Sequence, residues 1–430
     1  MEPAASGPDE QQRQPGRSRR GRQLLRKLVL AVVVGVVVLK PADLLLGWLA
    51  DTHTRHLLRI DPYANARHRS AEFDYQFRTN ALGLRGPDRP LGKAPGTRRL
   101  VVVGDSFVAG VGVDYEHVFT TRLEQRLRQV DHRRDVINVG RAGSSTIREL
   151  TLYEQRGRGY RPDVVLLVFY LGNDLAEVLE EEDSTTLAAW HPDGFWRRAV
   201  YAWCPNFYLE LAIRKRRGRS RRRLEPRTEA EILATIATEA TRRRGDPDAA
   251  NAAVQRYHRF PAGVRQLAEQ GRFPEYRVLQ ACVFPDRFRD SIDPDDKFVE
   301  RAWPQVERHL DLFRRAVEAD GATLLMAVIP DALQVDADAF AFNRQLGFDL
   351  DPRWLDGPPG RTASLVRNWA REANVPLLEL ITALRSSDER TFFVQDGHCN
   401  PSGHEQIARA LAEWDPLTSA LATEPARGSE

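Results

Sequence analysis

The sequence predicts an α/β fold: three layers, with a mostly parallel five-stranded sheet between two layers of helices. Three observations carry this reading. Short apolar runs recur at Leu100–Val103, Asp135–Val139, Val164–Phe169, Thr323–Ile329 and Val375–Leu380. Stretches with helix-spaced apolar residues lie between them, the alternation of a parallel sheet covered on both faces. The third run, VVLLVF, shows no polar alternation, as expected of a strand buried on both sides.

The 430 residues suffice for two or three domains and a large core. Residues 1–22, rich in Pro, Gly, Gln, Ser and Arg, are expected to be a disordered basic tail. Arg26-Lys27 then leads into the apolar run Leu28–Leu39, which Lys40, Pro41 and Asp43 interrupt before Leu44–Ala50 resumes it. Residues 23–50 are long enough to span a bilayer if Lys40 snorkels. No small-x-small cleavage site follows, so the expectation is an uncleaved signal anchor, with a cleaved signal peptide as the alternative. Arginines before the run predict a cytoplasmic N-terminus and an exported body, periplasmic or extracellular.

Residues 51–97 form a lead-in to the first strand. Helical patterns follow at 118–130, 146–156, 299–318, 361–373 and 403–413. Residues 176–298 break the rhythm with Trp190, Trp196, Trp203 and Tyr208, an arginine run and a helical pattern at 228–244. They are expected to be a mostly helical insertion between the third and fourth strands. The main domain is thus 98–175 with 299–415, followed by a flexible tail at 416–430.

Of the net charge of +3, residues 1–27 contribute +4 and residues 214–223 contribute +8, so the remainder carries −9. A nucleic-acid binder spreads positive charge over its main face, and this chain does not. The run Arg214–Arg223 has two readings, a membrane-surface patch or a solvated loop. Three cysteines exclude a disulfide scaffold.

In parallel sheets ligands bind beyond the carboxyl ends of the strands, so the residues there carry the chemistry. Gly104-Asp105-Ser106 follows the first strand and places a hydroxyl at a strand-to-helix turn, beside the N–H groups of a helix start. Asn138-Val139-Gly140-Arg141-Ala142-Gly143 ends the second, where a glycine lets a backbone N–H approach an oxygen. Gly172-Asn173-Asp174 follows the third and offers an amide donor. Asp396-Gly397-His398-Cys399-Asn400-Pro401 precedes the last helix. Ser106 needs a base; His398 can take its proton and Asp396 can orient the imidazole. Each signal alone has an ordinary structural reading, as a helix cap or a turn, and the ordered set is what points to chemistry.

Four stretches, RRLVVVGDSFVAGVGV (98–113), DVINVGRAGSST (135–146), RPDVVLLVFYLGND (161–174) and DGHCNPSGHEQIA (396–408), resemble the SGNH hydrolases, or GDSL esterase/lipase superfamily. The resemblance covers about 98–175 and 320–413 and implies a flavodoxin-like fold. It also implies a serine esterase acting through an acyl-enzyme, with Ser106, His398 and Asp396 catalytic and an oxyanion hole of Ser106, Gly143 and Asn173. Gly140 is the alternative to Gly143. The segment FRTNALGLRG (77–86) resembles the lead-in of membrane-anchored bacterial members and is expected to pack rather than to react. Two departures stand out. Many members space the last pair as Asp-x-x-His; Asp-x-His resembles the branch acting in cell-envelope polysaccharide O-acetylation, which leaves acetyl transfer open. Cys399 replaces a bulkier side chain and reads as a space-filler.

The expected substrate is an ester of a lipid or an acylated carbohydrate, and an inactive carbohydrate- or lipid-binding module is the reading from another class. No cofactor is called for: the glycines after the first strand lack the Lys-Ser/Thr of a phosphate loop. The spacing of His398, Cys399 and His404 fits no standard zinc site, and His404 is expected on the last helix.

Overall fold

A computed structural model describes residues 16–50, 61–185, 195–211, 214, 226–244 and 247–422. Two compact units divide the chain: residues 1–56 with 191–214, and residues 57–190 with 215–430.

The larger unit holds the sheet. Strands β1 (Asn65–Arg69) and β2 (Asp74–Arg78) form an antiparallel hairpin. The five-stranded parallel sheet comprises β3 (Arg98–Gly104), β4 (Arg134–Gly140), β5 (Val164–Tyr170), β6 (Thr323–Ile329) and β7 (Leu377–Glu379), in the order β4-β3-β5-β6-β7. This is the doubly wound order in which the chain reverses direction at the β3/β5 pair and opens a crevice at the strands' carboxyl ends. The last strand is shorter than the expected Val375–Leu380, because Pro376 has no N–H for the ladder.

Alternate residues of each strand feed two cores. Val101, Val103, Val165, Leu167, Met326 and Val328 face the helices Thr146–Leu152, Asp296–Ala319 and Arg361–Glu372. Leu100, Val102, Leu166, Val168, Leu325 and Ala327 face Phe119–Val130 and Pro401–Ala412. The three layers follow from this two-sided burial. The stretch expected to be helical through Arg156 ends its α-helix at Leu152 and continues as a π-type turn, Tyr153–Gly157. Within the segment read as a flexible tail, Asp415–Ala420 is a helix with Leu417 and Leu421 buried in the second core.

The inserted region supplies the helices Glu229–Arg244, Pro247–His258, Ala262–Glu269, Glu275–Val283 and Arg287–Ile292. They enclose a third core that also takes Leu333, Phe340, Phe348 and Trp354 from the chain after β6. Residues 195–211 do not join this core and belong to the smaller unit.

The smaller unit contains a helical run from Gly16 to Ala50, interrupted by a π-type turn at Gly35–Leu39. The helix thus begins inside the segment expected to be disordered. Its stretch Leu25–Leu49 has 25 residues and contains an 18-residue window of mean hydropathy 2.4, long and apolar enough to cross a membrane. The arginine run lies outside the described residues apart from Arg214, which pairs with Glu210 at 2.9 Å.

His404 lies on the last helix, fully buried and stacked on Phe119, whose N–H its Nδ1 accepts at 3.3 Å. Burial pushes its pKa down from 6.5 to about 3. The folded state therefore keeps the ring neutral where the unfolded chain protonates it. Stability is expected to fall as pH drops from about 6.5 toward 3, by up to about 1.4 kcal/mol per pH unit from this group. Urea unfolding of the wild type and His404→Gln at pH 6.5 and pH 5 checks this: the variant should lose about 2 kcal/mol less between the two.

Candidate active site

The carboxyl end of β3 passes directly into the short helix Ser106–Ala109. Asp105 caps it, accepting the Phe107 N–H at 2.9 Å, and the Ser106 hydroxyl lies 3.4 Å from the other Asp105 oxygen. Burial raises the Asp105 pKa. The turn is tight enough that Gly140, at the end of β4, touches it: a Cβ there would lie 2.3 Å from the Ala109 nitrogen. The Gly140 N–H is taken by Asn138 Oδ1 at 2.9 Å. Gly143, three residues on, has φ +68° and open space where a Cβ would sit.

From the far end of the chain, His398 Nε2 reaches Ser106 Oγ at 2.8 Å, and its Nδ1 pairs with Asp396 Oδ1. The residue between them, Gly397, has φ +86°, and a Cβ on it would meet the Arg277 guanidinium. The short Asp-x-His spacing closes because the intervening residue is a glycine in the left-handed region. Phe107 packs on the imidazole with ring centres 5.1 Å apart. Burial favours protonation of Asp396, but the charge and hydrogen bond of His398, with Arg277 and Tyr276, hold its pKa below the usual carboxylate value. Asp396 is 4% exposed and His398 16%, so the acid is sealed while the base keeps an open edge.

Asn173 lies at the end of β5, beside Asp105, and donates from Nδ2 to Glu177 Oε1 at 3.2 Å. The structure thus brings Ser106, His398 and Asp396 into one chain of hydrogen bonds. It places Asn173 next to the acid flanking Ser106, while no direct contact joins Gly143 to the three. Cys399 is fully buried in the second core, with its thiol pKa raised by burial. Among the described residues no group of three or more His, Cys, Asp or Glu side chains is arranged to hold a metal.

Several contributors carry no signal in the sequence. Glu72, in the turn between β1 and β2, accepts the backbone N–H groups of Val394, Gln395 and Asp396 at 2.7, 2.8 and 2.9 Å. Burial raises the Glu72 pKa against the pull of those three amides. Tyr276, on an inserted helix, donates to the Asp396 carbonyl at 3.0 Å and lies 3.2 Å from its Oδ2. Arg277 donates to the same carbonyl at 3.0 Å. On the serine side Arg85, from the lead-in segment, donates to the carbonyls of Ala109 at 2.7 Å, Gly110 and Val113. The lead-in was expected to pack, and its arginine straps the loop behind the serine.

No protein-family profile and no curated protein matches this chain. Among solved structures it is similar to a lipase/acylhydrolase from Enterococcus faecalis, with TM-score 0.36 and 11% identity over 77% of this chain and all of the other. It is similar to TesA, with TM-score 0.34 and 11% identity over 76% of this chain and 100% of that one. A catalytic mutant of an acetylxylan esterase from Geobacillus stearothermophilus matches with TM-score 0.33 and 10% identity, over 78% and 98% of the two chains.

Glu72→Ala frees three amides of the loop that carries Asp396 and His398. A displacement of about 1 Å costs on the order of 10²-fold in rate. Any reaction that uses the Ser106–His398 pair is therefore expected to fall about 10²-fold in kcat/KM in Glu72→Ala, and by less in Glu72→Gln, which keeps one acceptor oxygen. Thermal unfolding of both variants, measured alongside, separates misplacement from loss of fold.

Proposed function

We propose that this protein is a serine esterase of the SGNH type, cleaving a carboxylic ester through an acyl-enzyme on Ser106. The observation that carries the reading is the 2.8 Å hydrogen bond in which the Ser106 hydroxyl can donate to His398 Nε2, with Asp396 on the opposite ring nitrogen. A hydroxyl is a weak nucleophile until such a base takes its proton.

His398 Nε2 removes the Ser106 proton as Oγ bonds to the acyl carbon. The carbonyl pair moves onto oxygen, giving a tetrahedral oxyanion. The Ser106 and Gly143 N–H groups and the Asn173 amide are the donors proposed to hold it, each worth about 10²–10³ in rate. Gly143 is favoured over Gly140 because the Gly140 N–H is already committed to Asn138. The carbonyl then re-forms, the ester C–O bond breaks, and the alkoxide leaves with the proton from His398. Water, deprotonated by the same imidazole, attacks the acyl carbon and releases the acid and free Ser106. Asp396 keeps Nδ1 protonated and steadies the imidazolium.

If a sugar hydroxyl replaces water in the second half, the same residues perform acyl transfer. The Asp-x-His spacing favours keeping this second reading. The apolar helix Leu25–Leu49 supports attachment to a membrane with the hydrolase unit exported.

Ser106→Ala is expected to abolish labelling by a fluorophosphonate probe and to cut hydrolysis of a short-chain aryl ester by about 10⁶-fold. Equal, near-zero rates for wild type and variant would instead favour a binding module. Incubation with an acetyl donor and a polysaccharide acceptor distinguishes the two enzymatic readings: an esterase releases free acetate only, whereas a transferase acetylates the polysaccharide.

A further inference from the structure

The apolar helix Leu25–Leu49 carries two polar residues where a spanning helix tolerates them poorly, Lys40 and Asp43. Neither is left to the surroundings. Asp43 is fully buried, accepting from Asn206 Nδ2 at 3.1 Å and from the Phe207 backbone N–H at 2.8 Å. Lys40 Nζ donates to the Trp203 carbonyl at 2.9 Å. At 1.5 Å per residue, Lys40 and Asp43 lie roughly 9–14 Å from the Leu49 end of the span, within its hydrocarbon half. Whatever touches these residues sits at the same depth.

We infer that residues 195–211 are a second membrane-embedded element, a re-entrant helical segment paired with the anchor in the lipid bilayer. This rests on the reading of Leu25–Leu49 as a membrane anchor. The segment's surface fits: Phe195, Trp196, Val200, Trp203 and Leu211 are all exposed in the smaller unit, as are the lipid-facing residues of the anchor such as Val33. Lipid is the occupant these groups suit, since the polar groups at the contact are satisfied internally, as a hydrocarbon medium demands. The segment cannot be a second full crossing. Its first helix, Phe195–Trp203, has nine residues and spans about 14 Å, the helix breaks at Cys204 ahead of Pro205 before residues 205–211 continue, and the chain on both sides of the segment returns to the hydrolase unit. The Arg214–Glu210 pair marks the exit into the interface. The anchor's polar residues thus serve as the recognition points that hold the re-entrant segment.

The test uses the full-length chain with Cys204→Ser; Cys282 and Cys399 are fully buried and do not label in the native state. Single reporters Val33→Cys, Val200→Cys, Leu211→Cys and Val130→Cys carry an environment-sensitive fluorophore. The protein is reconstituted into phosphatidylcholine/phosphatidylglycerol vesicles with and without spin-labelled lipid. Positions 200 and 211 are expected to lose the same fraction of emission as position 33, while position 130, exposed on the hydrolase unit, loses none. If 33 is quenched and both 200 and 211 behave like 130, the anchor stands and the re-entrant segment is overturned. If 33 also behaves like 130, the anchor reading fails, and this inference with it.

Discussion

The contact between His398 and Ser106 joins positions 292 apart in the chain, and the rest of the larger unit is arranged around it. One partner is fixed by the sheet. Ser106 follows β3, the second strand in the order, at the point where the doubly wound chain reverses. Val101 to Val103 are fully buried on two sides, so the tip of this strand has no freedom to drift. The other partner has no such support. Residues 393–398 form a loop whose own backbone-to-backbone hydrogen bonds run from Phe393 to His398 and from Gly397 to Phe393. A loop held so lightly positions a base poorly unless other elements hold it too.

Three side chains do so. Glu72 fastens three successive amides from the hairpin side, and Tyr276 and Arg277 hold the Asp396 carbonyl from the inserted helices. The hairpin and the insertion are themselves joined where the Ala71 N–H meets the Arg272 carbonyl at 3.0 Å. Arg85 completes the frame on the serine side. The insertion is therefore part of the scaffold of the triad, and its Arg277 also helps keep Asp396 ionised despite burial.

This division explains what the sequence made legible. Strand tips are legible because apolar runs mark the strands and the residue after each run is fixed by counting: Ser106, Asn173 and the Gly140–Gly143 turn were found in this way. Asp396 and His398 were singled out by residue type just before the last helix and by the family resemblance. Glu72, Tyr276 and Arg277 leave no such trace. They act on backbone atoms of a loop distant in sequence, and a backbone amide accepts any carboxylate that tertiary packing delivers. The limits of the small elements were lost for local reasons, Pro376 shortening β7 and the π-type turn at Tyr153 ending a helix early.

A common device runs through the buried and half-buried acids. Asp105 accepts the Phe107 N–H, Asp331 the Leu333 N–H, Asp163 the Arg99 N–H and Asp43 the Phe207 N–H. Each uses a carboxyl oxygen to hold a backbone N–H, of its own turn for Asp105 and Asp331 and of a distant segment for Asp163 and Asp43. A buried carboxylate is thus by itself no sign of chemistry in this chain. Asp396 differs in its partner: its oxygen faces an imidazole whose far nitrogen meets a hydroxyl, and a proton can move along that line. It is the ionisable partner at each step, and not burial or acidity, that sets Asp396 apart from the other carboxyl groups.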